Sequence, residues 1–414
     1  MNINSGDTAF MLVATALVML MTPGLALFYG GMARKKHVLN TIMMSLAALG
    51  LISVQWVVFG YTLSFGPDWQ GIIGGLEHLG LQGLADKTLP VAPSIPAFVF
   101  MAFQLMFAII TPALISGAIA ERMRFGAYLL FILLWATLIY DPLAHWVWGG
   151  GWLAKLGALD FAGGLVVHIS SGVSGLVAAL VLGKRRGYGH EPMAPHQVPM
   201  TVLGAGLLWF GWFGFNAGSA LGANATAALA LVTTNTAAAA AALAWMFLEW
   251  LHHGKPTALG VASGAVAGLV AITPAAGFVS VLSALAIGAI GGAVCYFGVA
   301  ILKKKLGYDD ALDAFGCHGL GGTWGAIATG IFAMDGGLIS GKTDLLQAEI
   351  ISVAATYLFA GIGTYLILKA INLFLPLRVE AEEEVTGLDL TQHGEEAYPD
   401  FTLGGPLSSQ LGMK

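Results

Sequence analysis

The sequence predicts an all-α, polytopic membrane protein, and three observations carry that prediction. Of 414 residues, 57% are hydrophobic and only 10% are charged, where a soluble chain carries about a quarter. The mean hydropathy is +0.79. The basic residues fall almost wholly in alternate loops. Too few charges exist to cover a water-exposed surface, which excludes a soluble globular enzyme. Disorder is excluded for the opposite reason, because ample apolar surface is available for burial. The 57 glycines lie in apolar runs without a collagen period, where they suit close packing of membrane helices.

Taken in order, the opening Met1-Asn-Ile-Asn-Ser-Gly-Asp has no basic region ahead of the first apolar run. That run is therefore expected to be a true span and not a cleaved signal peptide. Apolar stretches of about 20 residues then predict eleven helices. They cover 8–32, 38–65, 96–120, 125–143, 161–183 and 198–219, then 225–251, 257–274, 278–303, 312–333 and 345–374. Segment 66–95, punctuated by Gly, Pro and Asp, reads as an outer loop with room for a short interfacial helix. Residues 1–375 form the predicted transmembrane domain and 376–414 a cytoplasmic regulatory tail. That tail holds eight acidic residues. Gly387-Leu-Asp-Leu and His393-Gly-Glu-Glu-Ala-Tyr398 mix apolar and aromatic anchors with charge, more than a spacer needs.

Charge sets the expected orientation. Fifteen of the eighteen Lys and Arg residues fall on one side of the eleven-helix plan, and only Lys87, Lys155 and Lys342 on the other. The positive side is cytoplasmic, so the N-terminus is expected outside and the C-terminus inside, in a multi-pass protein of the inner (plasma) membrane. No basic stripe points to nucleic acid. Cys295 and Cys317 offer neither a disulfide framework nor a metal-binding spacing.

Two of the ten histidines, His168 and His318, lie deep in apolar spans, and 150 residues separate them. At that offset Asp160 matches Asp310, while Gly172 and Gly175 match Gly322 and Gly325. The two histidine-bearing spans are the fifth and the tenth, five places apart, so the halves run in opposite directions. This is a 5+5 inverted repeat with a long eleventh helix added, the plan of many transporters. Both imidazoles should meet near the midplane, and the glycines leave a bare face for close helix approach. A lone buried histidine is usually structural, but ionisable groups at matched depth inside a membrane point to function. Zinc needs three or four ligands, and no third His, Cys or carboxylate appears at that depth, so no metal or other cofactor is expected. Two neutral imidazoles would suit a small neutral hydrogen-bonding solute and could pass protons along. They would stop a bare alkali ion, which finds no cage of oxygens.

Six strings, in order along nearly the whole chain, resemble the ammonium transporter family (Amt/Mep/Rh), on its Amt side. They are Thr22-Pro-Gly-Leu-Ala-Leu-Phe-Tyr-Gly-Gly31, Ala120-Glu-Arg-Met-Arg-Phe125, Ala144-His-Trp-Val-Trp-Gly-Gly-Gly151, Gly157-Ala-Leu-Asp-Phe-Ala-Gly-Gly164, Gly211-Trp-Phe-Gly-Phe-Asn-Ala-Gly-Ser219 and Asp313-Ala-Phe-Gly-Cys-His-Gly319. The resemblance implies an outer recruitment site at Phe103, Phe107, Trp148 and Ser219, closed below by the pair Phe107 and Phe215. It implies paired pore histidines at His168 and His318, an ordering acid at Asp160, and pore surroundings at Trp212 and Gln104. It further implies a homotrimer with one pore per subunit, and a PII-type signal protein acting on the cytoplasmic tail. Local roles compete with some of these: Asp160 also suits a helix N-cap, Ser219 small-residue packing, and any single aromatic an interfacial anchor. Asp141, before Pro142, is expected in the outer vestibule as a departure from the family pattern.

The expected function is ammonium uptake. Ammonium, or methylammonium as its analogue, is recruited outside and loses its proton, and ammonia crosses an apolar lane with accompanying charge transfer. The alternatives are an ammonium receptor and an electroneutral ammonia facilitator. No enzyme activity is expected.

Overall fold

The computed structural model describes residues 3–398; part of the tail, 399–414, and its Lys414 lie outside them. Among the described residues, nine helices are long and apolar enough to cross a membrane, so the chain is a multi-pass, all-α membrane protein. In chain order the helices are α1 (Ser5–Met32), α2 (Lys35–Phe65), α3 (Ala97–Ile119), α4 (125–147) and α5 (Gly164–Leu182). They continue as α6 (Val198–Gly218), α7 (Ala225–His253), α8 (Ala258–Ile272), α9 (Val281–Leu306), α10 (315–332) and α11 (Asp344–Ile371). The other two predicted spans are α8, which at 15 residues is shorter than those nine, and α10, whose glycines and His318 make it less apolar. Observed and predicted ends agree to within a few residues.

Three local outcomes differ from expectation. Segment 66–95 forms a two-strand antiparallel hairpin, β1 (Asp68–Trp69) and β2 (Ile73–Gly74), with a single 3₁₀ turn instead of an interfacial helix. A π-helical turn at Ala136–Tyr140 carries α4 past Pro142 to Val147, beyond its predicted end at 143. Asp141 is consequently buried inside the bundle, accepting from Gln55 Nε2 at 2.7 Å, and is absent from the outer vestibule.

The halves meet through glycine. A Cβ at Gly172 on α5 would overlap the backbone of Gly319 on α10, and one at Gly322 would crowd Gly164 and His168. Contacts therefore run in opposite order along the two helices, so α5 and α10 cross antiparallel. Each also begins with a π turn, at Gly164–Ile169 and Phe315–Gly319, that holds its histidine. α1 packs on α6 in the same manner: Cβ atoms at Gly204, Gly211 and Gly214 would collide with the facing helix. The repeat is thus written in backbone geometry as well as in residue spacing.

The loops after α1, α3, α5 and α9 converge at one end of the bundle. There Glu121 pairs with Arg34 at 2.6 Å and Arg185 at 3.3 Å, and Asp309 with Arg185 at 2.8 Å. Arg122 donates to the carbonyls of Ala118 and Asp309. At this same end the tail returns as α12 (Ala381–Thr386) and α13 (Leu388–His393). Asn40 N–H donates to Asp389 Oδ1 at 2.8 Å, Arg378 pairs with Glu384 at 2.7 Å, and Phe125 N–H donates to Gln392 at 3.2 Å. The sequence 376–393 is therefore a docked element. At the opposite end, Asp68 joins the hairpin to His145 and Lys155.

Candidate functional site

The first turn of α5 has backbone N–H groups with no intrahelical acceptor, and Asp160 supplies one for each. Its carboxylate accepts from Gly163, Gly164, Leu165 and Val166 at 2.6–3.2 Å. Its main-chain carbonyl accepts from Trp148 Nε1 at 2.8 Å. One residue thus anchors both the helix that carries His168 and the indole at the mouth above it. The capping role is met, and Asp160 also lines a cleft. Asp310 repeats the arrangement for α10, accepting from Ala314 and Phe315 at 3.0 and 2.8 Å.

That cleft, of about 420 Å³ at the hairpin end of the bundle, is walled by Gln104, Phe107, Trp148, Asp160 and Ser219, together with Phe100, Phe161 and Phe278. Ser219 Oγ donates to the Phe215 carbonyl at 2.9 Å, and Gln104 Oε1 is buried without a protein partner. Trp148 stands edge-on to Phe107 at 5.9 Å and 85°. Phe103 is not on the wall but braces Phe107 from behind, with centroids 5.0 Å apart. Below, Phe107 and Phe215 stack at 4.1 Å and 24°, both buried, and close the floor of the cleft.

Beneath that floor lies a narrow cavity of about 10 Å³, room for about one water. His168, His318 and Trp212 share its wall with apolar side chains. The imidazoles face each other at 5.2 Å and 23°, with Nδ1 atoms 3.2 Å apart. One Nδ1 must donate and the other accept, so a single shared proton satisfies the contact. His168 stacks on Trp212 at 5.4 Å, and the indole Nε1 donates to Thr273 Oγ1 at 2.9 Å. His168 Nε2 is buried with no protein partner, a free polar edge in an otherwise apolar lane. No group of three metal-ligating side chains occurs among the described residues.

The structure therefore brings together every residue singled out from the sequence, with Phe103 one layer behind. It adds lane walls that sequence reasoning missed: Met21, Leu25, Phe28, Ile110, Leu114, Leu208 and Val266. Nothing local separates these from lipid-facing residues of the same type.

Comparison with known proteins agrees along the whole length. The chain is 58% identical to an ammonium transporter of Bacillus subtilis over 402 residues, covering 95% of this chain and 99% of that one. It is 49% identical to ammonium transporter Amt1 of Archaeoglobus fulgidus, covering 95% and 100%. The crystal structure of Saccharomyces cerevisiae Mep2 superposes with a TM-score of 0.89 at 40% identity, covering 98% of this chain and 94% of that chain. A solved sensor Amt protein matches with a TM-score of 0.88 at 30% identity, covering 94% and 98%. A family model, the Ammonium Transporter Family, matches residues 9–398. With two acid-capped helices crossing at a histidine pair beneath a closed aromatic floor, and with likeness of this extent, the chain belongs to the ammonium transporter family.

Proposed function

We propose that this chain takes up ammonium by stripping it to ammonia at an outer aromatic site. The carrying observation is the histidine pair, 3.2 Å apart between Nδ1 atoms, in a lane one water wide below stacked Phe107 and Phe215. Ammonium enters the outer cleft, where aromatic faces attract a cation by about 0.5–2 kcal/mol and Asp160 and Ser219 add polarity. Carrying the whole cation through the dry centre would cost several kcal/mol, whereas neutral ammonia escapes most of that cost. One N–H bond therefore breaks above the Phe107/Phe215 gate, and ammonia passes His168 and His318, hydrogen-bonding to the free imidazole edge. The proton travels by a relay that includes the pair and rejoins ammonia beyond it, so one positive charge moves per turnover. Potassium has no proton to give up and is refused.

In this reading eleven helices cross the membrane with the N-terminus outside. Residues 376–414 are a cytoplasmic regulatory tail, the element a PII-type signal protein engages, and three subunits assemble with one pore each. The docked tail, at the end where the cationic loops gather, supports that sidedness. A receptor role is the second reading, favoured by the likeness to the sensor Amt protein.

The test is current from reconstituted liposomes. Ammonium pulses should give currents that potassium does not, and His168→Leu with His318→Leu should abolish the current or its discrimination. Equal ammonium and potassium currents overturn the reading. Absence of any flux in the native protein would favour the receptor, and uncharged flux an ammonia facilitator.

A further inference from the structure

An ionisable side chain inside an apolar span is costly and usually functional, and α11 carries one, Glu349, with no exposed surface. Gly330 on α10 makes room for it: a Cβ there would lie 2.7 Å from Leu346 Cα and 3.3 Å from Glu349 Cγ. Glu349 Oε1 accepts the backbone N–H of Leu159 at 2.7 Å, while Oε2 has no protein partner. Leu159 immediately precedes Asp160, whose carbonyl holds the Trp148 indole and whose carboxylate caps α5. Phe161 N–H is tied in turn to the Pro274 carbonyl at 3.1 Å. The short loop at the mouth is thus pinned on either side of Asp160, and one pin is a buried carboxylate reaching across from the last helix.

We propose that Glu349 is a positioning residue for outer cation capture. Through the Leu159 N–H it fixes the Asp160 carbonyl, and through that carbonyl the plane that Trp148 presents to the cleft. The carboxyl oxygen accepts this N–H whether or not the group is ionised, so the anchor needs no charge to hold the loop. Glu349 is not on the cleft wall, so it acts through Trp148 and not by touching the cation. This inference rests on the reading of Trp148 as the recruitment surface.

The experiment measures ammonium currents in liposomes for four proteins besides the native one. Glu349→Leu should raise the half-saturating ammonium concentration about tenfold, with maximal current kept within about twofold. Glu349→Gln, which keeps an acceptor oxygen, should stay within about threefold of native on both. Trp148→Leu should itself raise half-saturation, and Glu349→Leu added to it should change little more, because both act at one place. If Glu349→Leu fails to assemble, Leu159→Pro, which deletes the donor and leaves Glu349 intact, must show the same shift. A native-like Glu349→Leu, a Gln variant as impaired as Leu, or additive shifts in the double variant would overturn the inference while leaving the recruitment reading standing. If Trp148→Leu leaves half-saturation unchanged, the recruitment reading fails and takes this inference with it.

Discussion

Asp160 and Asp310 hold equivalent places in the two halves but carry unequal loads. Asp160 takes four backbone donors and Asp310 takes two. Alanine at either position leaves those N–H groups buried and unpaired, at about 1 kcal/mol each by the low end of the range for a lost partner. Asp160→Ala should therefore cost about 4 kcal/mol and Asp310→Ala about 2 kcal/mol. Asp160→Asn keeps one carbonyl oxygen for Gly163 and Gly164, but turns an amide toward Leu165 and Val166. Its loss should fall near that of Asp310→Ala, about 2 kcal/mol. Thermal unfolding of the purified protein in detergent, followed by tryptophan fluorescence at one fixed scan rate, ranks the three variants. Equal losses for the two alanine variants, or an Asn variant as damaged as Asp160→Ala, would refute the donor-by-donor reasoning.

Other consequences can be checked alongside. Gly172→Ala should prevent assembly of a monodisperse protein, because its Cβ meets the Gly319 backbone; Gly50→Ala, which opens on empty space, should leave the melting temperature unchanged or slightly raised. Phe215→Ala removes one ring of the stacked floor, yet potassium should still carry no current, because the histidine-lined cavity below offers it no cage of oxygens. The tail should loosen as pH falls. Burial holds the His393 pKa below 6.5 against the opposing pull of Asp389 and Glu395, and its Nε2 accepts from Asn40 Nδ2 at 2.9 Å. The released tail takes up a proton first, so the docking contribution is whole above pH 6.5 and declines below it. Burial raises the Asp389 pKa above 3.8, so its opposite effect belongs to a lower pH window. Hydrogen-exchange protection across 381–393, taken relative to the unstructured-peptide rate at each pH, should therefore fall between pH 7.5 and 5.5, and His393→Gln should flatten that dependence.

The spans, the repeat and the histidine pair were legible because each depends on a pattern the bilayer imposes on the chain. Apolar length is set by bilayer thickness, and an imidazole deep in an apolar run stands out. The π turn at Ala136–Tyr140 was not legible, since it adds no residue type of its own. Yet it decides that Asp141 is buried against Gln55 and does not face the vestibule. The hairpin at 68–74 was hidden for a similar reason: Gly, Pro and Asp mark a turn without saying what lies beside it. The cavity walls were invisible because Leu25 or Val266 facing an internal cavity has the same chemistry as a leucine or valine facing lipid. Glu349 differs. A carboxylate within an apolar run is a signal the sequence does carry, and only its partner, a backbone N–H 190 residues earlier, required the structure.

Main chain lies against main chain where α5 crosses α10, and that leaves no slack at the middle of the molecule. A carrier that rocks between two faces needs a joint there that can open and reclose, over microseconds to milliseconds. This one is wedged shut by its own scaffold. On the proposed function, passage is then left to ring flips and side-chain swings within a fixed frame, and turnover is set by how often Phe107 and Phe215 part company.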